Sequence, residues 1–484
     1  MPERESVFDR SPNLSRGLLF GILALAIVVR LYDATRVPLW FDETYTLWIA
    51  RLGLPGMLPA LGADIHPPLH FVLVWLWRGL GGESEVWLRT LSVLFGVATV
   101  AVTWGLTRDT FGRGAALLAA LLLTLHRTHI HMSQEVRMYA LLWMLYSLAL
   151  WAAWRWIEGG RRRDAVLYVL AGVAAFYTHY QSILVLGCVG AWGVVALARQ
   201  PTRLLRWVGL NAAILVLFAP MLPTFVHQLA RNRDTHWIKP PHLSDLNSLL
   251  RGMSFGAPYL IVPLLLLAVL PLLGARRRAA SLLWTFIVVP VAVSYVVTLR
   301  GGHLYADRYM FYTLPAWCAL IGAGVMGLPW KWARAALAVG IVALAVRSFV
   351  LSDAYEEPRD LKRAEEMLRP SVAPGDFVFH ADAHSLLYFM QYMPDLGRHR
   401  LLLSDPNLPY YEGAVVIPDS LRALSADFER LSAHGEHWWG VYSHHAGIDA
   451  GPMVALLRAR ATRIRHAGRM VTVFEGPPRL TAAP

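Results

Sequence analysis

Long apolar runs alternate with short polar segments from residue 16 to about residue 351, where this pattern stops. An apolar run of about 20 residues is long enough to cross a bilayer as a helix. The first run lacks a small-residue cleavage site, so we expect it to remain as a signal anchor. The pattern predicts about eleven spanning helices, over residues 16–33, 86–107, 113–128, 138–157, 165–180, 181–198, 204–222, 257–274, 279–299, 309–328 and 331–351.

Beyond residue 351 charged residues return and the apolar stretches become short. Short apolar stretches are typical of buried strands, and a 3.6-residue periodicity is typical of helices. We therefore predict a membrane domain over residues 1–351 and a soluble α/β domain over residues 352–484. The predicted strands lie at 376–379, 438–442 and 470–474, and the predicted helices at 359–369, 384–393 and 452–461.

The composition is that of a polytopic membrane protein rather than an ordinary soluble enzyme. Of the 484 residues, 56% are hydrophobic and only 16% are charged, and the mean hydropathy is +0.42. The positive-inside rule places loops rich in basic residues in the cytoplasm, together with the N-terminus. The net charge of +12 then follows from topology and gives no reason to invoke nucleic acid. The basic residues concerned are Arg4, Arg10, Arg16, Arg108, Arg113, Arg161, Arg162, Arg163, Arg199, Arg203, Arg206, Arg276, Arg277, Arg278, Lys331 and Arg334.

The remaining loops and the tail from residue 352 are then external, because the predicted number of spans is odd. The first external loop, residues 34–85, is much longer than an ordinary connection and contains several ionisable and aromatic residues. Ionisable groups placed at a membrane surface indicate function. We therefore expect the active site in this loop, with further residues from the external segments 129–137, 223–256 and 300–308.

Two groups of residues in the first loop are suited to acid–base chemistry. Asp42 and Glu43 follow an aromatic pair, and neighbouring carboxylates are expected to raise one another's pKa, as a general base requires. Asp64 and His66 precede two prolines, which fix the approach of the chain to the next helix. Asp42 and Glu43 could alternatively mark only a helix start, and Asp64 could be only a helix cap.

Cations that could hold an anionic leaving group lie in two other external segments. Arg137 lies in a polar patch with Glu135 and Tyr139, and Arg308 precedes Tyr309 at the start of a predicted span. A guanidinium can bind a phosphate through two parallel hydrogen bonds. The alternatives are that Arg137 pairs with Glu135 or snorkels to the interface, and that Arg308 forms a surface pair with the preceding aspartate.

Two further clusters allow more than one interpretation. His179 and Tyr180 end a predicted span on the external side, where aromatic residues form either an interface belt or a platform for a sugar. His126, His129 and His131 weakly suggest a metal site, because their spacing fixes no third ligand.

Jointly, these residues resemble the motifs of membrane glycosyltransferases of the GT-C superfamily. The resemblance is to the glycosyltransferase family 39-like bacterial group, which is related to protein O-mannosyltransferases and aminoarabinose transferases. It covers the whole membrane domain. The matching motifs are Phe41-Asp42-Glu43, Asp64-x-His66-Pro67-Pro68-Leu69, Ser133-Gln134-Glu135-x-Arg137-x-Tyr139, Tyr177-x-His179-Tyr180 and Arg308-Tyr309.

The resemblance implies an enzyme of the bacterial inner membrane that moves a sugar, with inversion, from a polyprenyl-monophosphate carrier to a lipid, glycan or protein acceptor. Asp42 would be the catalytic base, Glu43 and Asp64 would shape the acceptor site, and Arg137 and Arg308 would hold the donor phosphate. No cofactor or divalent metal is expected. Protein mannosyltransferases typically have a lysine shortly after His-Pro-Pro-Leu, whereas this chain has His70-Phe71, so the resemblance identifies neither mannose as the sugar nor protein as the acceptor.

Two other functions remain open. A flippase or transporter of lipid-linked sugars would place its charged residues deep within the spans, whereas here they gather at one face. A metal-dependent oligosaccharide transferase that uses a diphosphate carrier would need acidic ligands for a divalent ion.

Overall fold

The computed structural model describes residues 11–32, 34–231, 238–351, 356–403, 417–444 and 451–478, and its first part is helical. Many of its helices are apolar, and several are long enough to cross a membrane, as the hydrophobic runs predict. In chain order they are α1 (Pro12–Leu31), α2 (Phe41–Arg51), α3 (Gly53–Ala63), α4 (Leu69–Gly81), α5 (Glu85–Phe111), α6 (Arg113–Leu125), α7 (Arg127–Met132), α8 (Tyr139–Gly159), α9 (Arg162–Phe176), α10 (Ser182–Leu197), α11 (Pro201–Phe218), α12 (Leu222–Arg231), α13 (Leu243–Met253), α14 (Ile261–Val269), α15 (Arg277–Leu299), α16 (Asp307–Met310), α17 (Leu314–Gly327) and α18 (Lys331–Val350).

Every predicted span contains one of these helices. Within the described residues, seven helices are long and apolar enough to cross a membrane, and the shorter apolar helices α4, α6 and α10 accompany them. The prediction of a polytopic helical membrane protein is confirmed at this level, while the count of eleven spans stays a prediction. The span predicted over residues 257–274 corresponds to one helical segment, Pro258–Leu273. Short 3₁₀ turns at Pro258–Leu260 and Leu270–Leu273 flank α14, and this segment is bent by 82° relative to α13.

Small residues let the central helix α17 pack closely against its neighbours. A β-carbon added at Gly324 would overlap the backbone carbonyl of Leu267 in α14. A β-carbon at Gly322 would similarly crowd the carbonyl of Ala115 in α6. Close backbone approach through small residues is a common way for membrane helices to associate. The helix that follows the Arg308 segment is therefore held rigidly from two sides.

The C-terminal part forms a small α/β unit, as the pattern of short apolar stretches predicts. Within its described residues, six strands form one sheet in the order β3-β2-β1-β4-β6-β5, in which β3, β2, β1 and β4 run parallel and β6 is antiparallel to both β4 and β5. The predicted boundary at residue 352 lies outside the described residues, so the two-domain division stays a prediction. The elements are α19 (Glu356–Leu368), β1 (Phe377–His380), α20 (Ala383–Tyr392), β2 (Arg398–Leu403), β3 (Arg422–Leu424), α21 (Ser425–Ala433), β4 (Trp438–Ser443), α22 (Gly451–Arg460), β5 (Arg463–His466) and β6 (Val471–Glu475).

Helices α2, α3 and α4 were not resolved by the hydrophobic pattern, which showed only a long first loop. They form a layer between the membrane helices and the C-terminal unit. Leu387 of α20 packs in one apolar cluster with Tyr45, Ile49 and Phe71 from this layer. The C-terminal unit therefore rests on the same helices that carry the candidate active-site residues.

We expect Gly324→Ala to lower the free energy of unfolding by about 1–3 kcal/mol, because the added methyl group forces α17 and α14 apart. Thermal unfolding of the purified protein in detergent measures this effect. Gly327→Ala is the matched control, since a β-carbon there meets nothing within 4 Å. Equal melting temperatures for the two variants would contradict this packing.

Candidate active site

The first turn of α2 presents two adjacent carboxylates in opposite roles. Helix α2 begins after Trp40, whose backbone is extended. Glu43, at the third helical position, accepts a hydrogen bond from the backbone N–H of Trp40 at 3.2 Å. This contact caps the helix start. The side chain of Glu43 is thereby turned back toward the preceding loop, and Asp42 is left to face the other external segments.

Asp42 lies between two arginines that come from distant parts of the chain. Its Oδ2 atom is 3.3 Å from a terminal guanidinium nitrogen of Arg308 and 3.6 Å from Nε of Arg137. Arg137 also donates to the hydroxyl of Thr46 at 3.2 Å, one helical turn further along α2. The Asp42 side chain is 17% exposed. The structure therefore brings together the three residues to which the motifs assigned a base and two phosphate-binding cations.

The pKa of Asp42 is lowered, contrary to the expectation that Glu43 would raise it. Burial by itself raises the pKa, but the charges of Arg137 and Arg308 outweigh burial and hold the pKa below its ordinary value of 3.8. The predicted effect of Glu43 is wrong because Glu43 points away into its own ion pair. Asp42 is consequently ionised at neutral pH, so it can accept a proton.

Glu43 is a buried structural anchor, with a side chain that is only 1% exposed. Arg89 donates to both of its oxygens, at 3.0 and 2.7 Å, and the backbone N–H of Val136 donates to Oε1 at 2.9 Å. Arg89 also donates to the carbonyl of Val37 at 2.8 Å. Glu43 thus ties α2 to α5 and to the segment that carries Arg137, and it also lines a cavity together with Arg36, Trp40 and Arg308.

Arg89 was missed by the sequence analysis, although a signal for it exists. It is an arginine inside the apolar run of α5, where a charged residue is costly unless it has a partner. The sequence alone did not show that its partner is Glu43, 46 residues earlier.

A second polar chain leads from Arg137 to Asp64. Nε2 of His66 lies 3.4 Å from a guanidinium nitrogen of Arg137, and Nδ1 of His66 lies 2.8 Å from Oδ2 of Asp64. Because arginine can only donate, Nε2 accepts and Nδ1 carries the proton that is donated to Asp64. Asp64 and His66 therefore orient Arg137. This role goes beyond the alternative of the sequence analysis, in which Asp64 would be only a helix cap.

Aromatic rings surround this polar centre. The ring of Tyr309 lies 6.1 Å from that of Tyr139 and 5.1 Å from that of His179. Burial, assisted by nearby cations, lowers the pKa of His179 to about 3, so this ring is neutral at physiological pH. Tyr180 is directed elsewhere, with its hydroxyl bonded to Gln228.

Arg137 and Glu135 do not pair with each other, as one alternative of the sequence analysis suggested, but each pairs with another residue. Arg137 contacts Asp42 rather than Glu135, whose carboxylate lies 3.1 Å from Nε2 of His131. His129 accepts from the buried Arg30, so the histidines of this patch serve different contacts. Within the described ranges, no group of three or more His, Cys, Asp or Glu side chains is arranged to hold a metal.

Two cavities are lined by neighbours of Asp42, although Asp42 and Arg137 themselves line neither of them. The first, of about 860 Å³, is mainly apolar, and its lining includes His66, His179, Tyr309, Leu184, Gly187 and Val289. The second, of about 760 Å³, is more polar, and its lining includes Arg36, Trp40, Arg127, His131, Glu135 and Arg308. A long apolar molecule fits the first cavity and a polar one fits the second.

Comparison with known proteins shows which family and which solved structures this chain is similar to. Residues 65–227 match the family described as dolichyl-phosphate-mannose-protein mannosyltransferase. The crystal structure of ArnT from Cupriavidus metallidurans bound to undecaprenyl phosphate is 16% identical, with a TM-score of 0.63, and the match covers 96% of this chain and 99% of that one. The apo structure of the same ArnT is 15% identical, with a TM-score of 0.63 over 96% and 100% of the two chains. A comparison with curated protein sequences found no match.

The fold is therefore that of the ArnT structures. The family match over residues 65–227 confirms the resemblance that the motifs indicated, and with it the predicted enzyme class, a glycosyltransferase. The matched segment begins at residue 65, so the roles of Asp42 and Glu43 are carried by the geometry of the site alone.

We expect Glu43→Gln to lower the free energy of unfolding by about 3–5 kcal/mol, because it removes the carboxylate that contacts the buried Arg89 most closely and leaves only Glu85, at 3.8 Å, to balance that charge. The control is Glu83→Gln, which breaks a partly exposed pair with Arg51 and Arg78 and should cost about 1 kcal/mol or less. Thermal unfolding in detergent compares the two. If Glu43→Gln melted like the wild type and yet lost all transfer, Glu43 would belong to the chemistry rather than to the framework.

Proposed function

We propose that this protein transfers a sugar, with inversion, from a polyprenyl-monophosphate carrier to an acceptor on the external face of a bacterial inner membrane, with Asp42 as the base. The observation that carries this proposal is an ionised carboxylate held by two arginines, beside an apolar cavity that His66 and Tyr309 line and a polar cavity that Glu43 and Arg308 line. Transfer from a lipid phosphate requires this combination of base, cations and lipid site.

The apolar cavity suits the donor. Its lower part is lined by side chains of α10 and α15 such as Leu184 and Val289, which would accommodate a polyprenyl chain. Its polar end is formed by His66 and Tyr309, next to the arginines that would bind the phosphate. The fold match to an ArnT that holds undecaprenyl phosphate supports a ligand of this class.

The chemical step follows from these positions. A hydroxyl oxygen of the acceptor attacks the anomeric carbon, and the bond from that carbon to the phosphate oxygen breaks with its electron pair on the phosphate. The acceptor proton passes to Asp42, and Arg137 and Arg308 stabilise the phosphate charge. When the donor binds, its phosphate competes with Asp42 for both guanidinium groups. This competition removes the interactions that lower the pKa of Asp42, so the carboxylate becomes a stronger base when the donor is present.

The polar cavity would take the acceptor, a lipid, glycan or protein. Arg36, Arg127 and Glu135 supply charged and hydrogen-bonding groups there. We expect no divalent metal to be required, because two guanidinium groups already provide the positive charge that a metal would supply to the leaving group. The proposed topology has about eleven spans, a cytoplasmic N-terminus and an external C-terminal domain.

We expect Asp42→Asn to abolish transfer, because the amide cannot accept the acceptor proton, while donor binding is retained. The assay measures transfer from a panel of radiolabelled polyprenyl-phosphate sugars by the purified protein in native membrane lipids, with EDTA present. Wild-type activity in EDTA together with an inactive variant supports the proposal. Full transfer by Asp42→Asn overturns the role of Asp42, and wild-type activity that is lost in EDTA favours the metal-dependent oligosaccharide transferase. Donor binding without turnover by the wild type favours the flippase.

We expect Gly187→Phe to raise the KM for the donor about tenfold or more, because the ring would fill the apolar cavity. A β-carbon at Gly187 meets nothing within 4 Å, so the fold should accept the change. Gly209→Phe is the matched control, with equal space around it and a position outside the cavity lining. Initial rates at varied donor concentration provide the measurement, and an unchanged KM for Gly187→Phe would place the lipid elsewhere.

A further inference from the structure

Helix α20 of the C-terminal unit contacts α2 near both ends of α2. At the far end, Arg51 donates to the side-chain oxygen of Gln391 at 2.6 Å. Just before α2, the hydroxyl of Tyr392 accepts from the backbone N–H of Leu39 at 2.8 Å and also contacts Glu85. These contacts join residues that are more than 300 positions apart in sequence. The two units are thus connected directly at the helix that carries Asp42.

Another contact between the two units lies next to the proposed base, Asp42. The ring of His384, in the first turn of α20, stacks on the ring of Phe41 with centroids 3.6 Å apart and planes 5° apart. His384 is only 4% exposed. Phe41 is the first helical residue of α2 and directly precedes Asp42. The stacked pair therefore holds the backbone turn from which the Asp42 side chain projects.

A first helical turn needs such support. Its backbone N–H groups lack partners within the helix, so the turn frays unless side chains or neighbouring elements hold it. Glu43 restrains this turn from the membrane side. His384 of the C-terminal unit restrains the same turn through the ring of Phe41. A displacement of about 1 Å at a reacting group can reduce a rate about 100-fold, so this restraint bears on catalysis.

We propose that His384 is a positioning residue, whose stacking on Phe41 fixes the Asp42 carboxylate relative to the acceptor, so that the C-terminal domain forms part of the catalytic centre. This inference rests on the proposed role of Asp42. The C-terminal domain would then position the catalytic base. This function differs from recognition of the acceptor and from simple cover of the site.

The test compares His384→Ala, which removes the ring, with His384→Phe, which keeps a ring able to stack. We expect His384→Ala to lower kcat about tenfold with an unchanged KM for the donor, because the lipid cavity and both arginines remain in place. His384→Phe should restore kcat close to the wild-type value. The control is His434→Ala, an exposed histidine of the same domain whose ring bonds the carbonyl of Arg430 in its own helix; it should behave as the wild type.

Melting temperatures establish that each variant is folded, and Asp42→Asn is assayed in parallel. If Asp42→Asn is inactive while folded His384→Ala keeps the wild-type kcat, the role of His384 is overturned and the proposed function stands. If His384→Phe is as slow as His384→Ala, stacking is not the mechanism and the inference also fails. An active Asp42→Asn would instead overturn the proposed function itself. Should His384→Ala not fold, His384→Leu replaces it, since leucine keeps apolar volume without a ring, and the same outcomes decide.

Discussion

The site depends on one electrostatic arrangement, in which the buried carboxylate of Asp42 lies between the guanidinium groups of Arg137 and Arg308. Any one of these charges would be costly to bury alone, and together they reduce the cost for one another. The arrangement also leaves a surplus of one positive charge among the three side chains. An anionic phosphate is the natural complement of that surplus, which links the stability of the empty site to the binding of its proposed donor.

This arrangement is held by a framework that does not react. Glu43 and Arg89 form a buried pair that joins α2, α5 and the backbone before Arg137. Asp64 and His66 orient Arg137 from another side. Adjacent residues in the sequence therefore have separate tasks. Asp42 faces the substrates because Glu43, one residue later, is turned into the framework.

The site has one apolar and one more polar neighbouring cavity, and the proposed substrates likewise are one lipid-linked and one polar molecule. One neighbouring cavity is mainly apolar and its lining includes side chains of α10 and α15, and the other is more polar and its lining includes Arg36, Glu43 and Arg127. The C-terminal unit closes over α2 through His384 and Tyr392. An enzyme that joins a lipid-linked sugar to a polar acceptor needs access from two such environments to one reacting centre.

The sequence by itself determined the long apolar helices of the membrane part, because apolar length is a local property that a bilayer imposes directly. Local signals also indicated strands β1, β4 and β6, and motif resemblance indicated Asp42, Arg137 and Arg308. Helices α2, α3 and α4, strands β2 and β5, and the bend between α13 and the segment of α14 were not found, since short apolar runs do not distinguish between competing structures. Only the tertiary structure decided that Glu43 pairs with Arg89, that the pKa of Asp42 is lowered rather than raised, and that His384 stacks beside the base. These properties depend on which distant groups face a side chain, and no local pattern in the sequence records that.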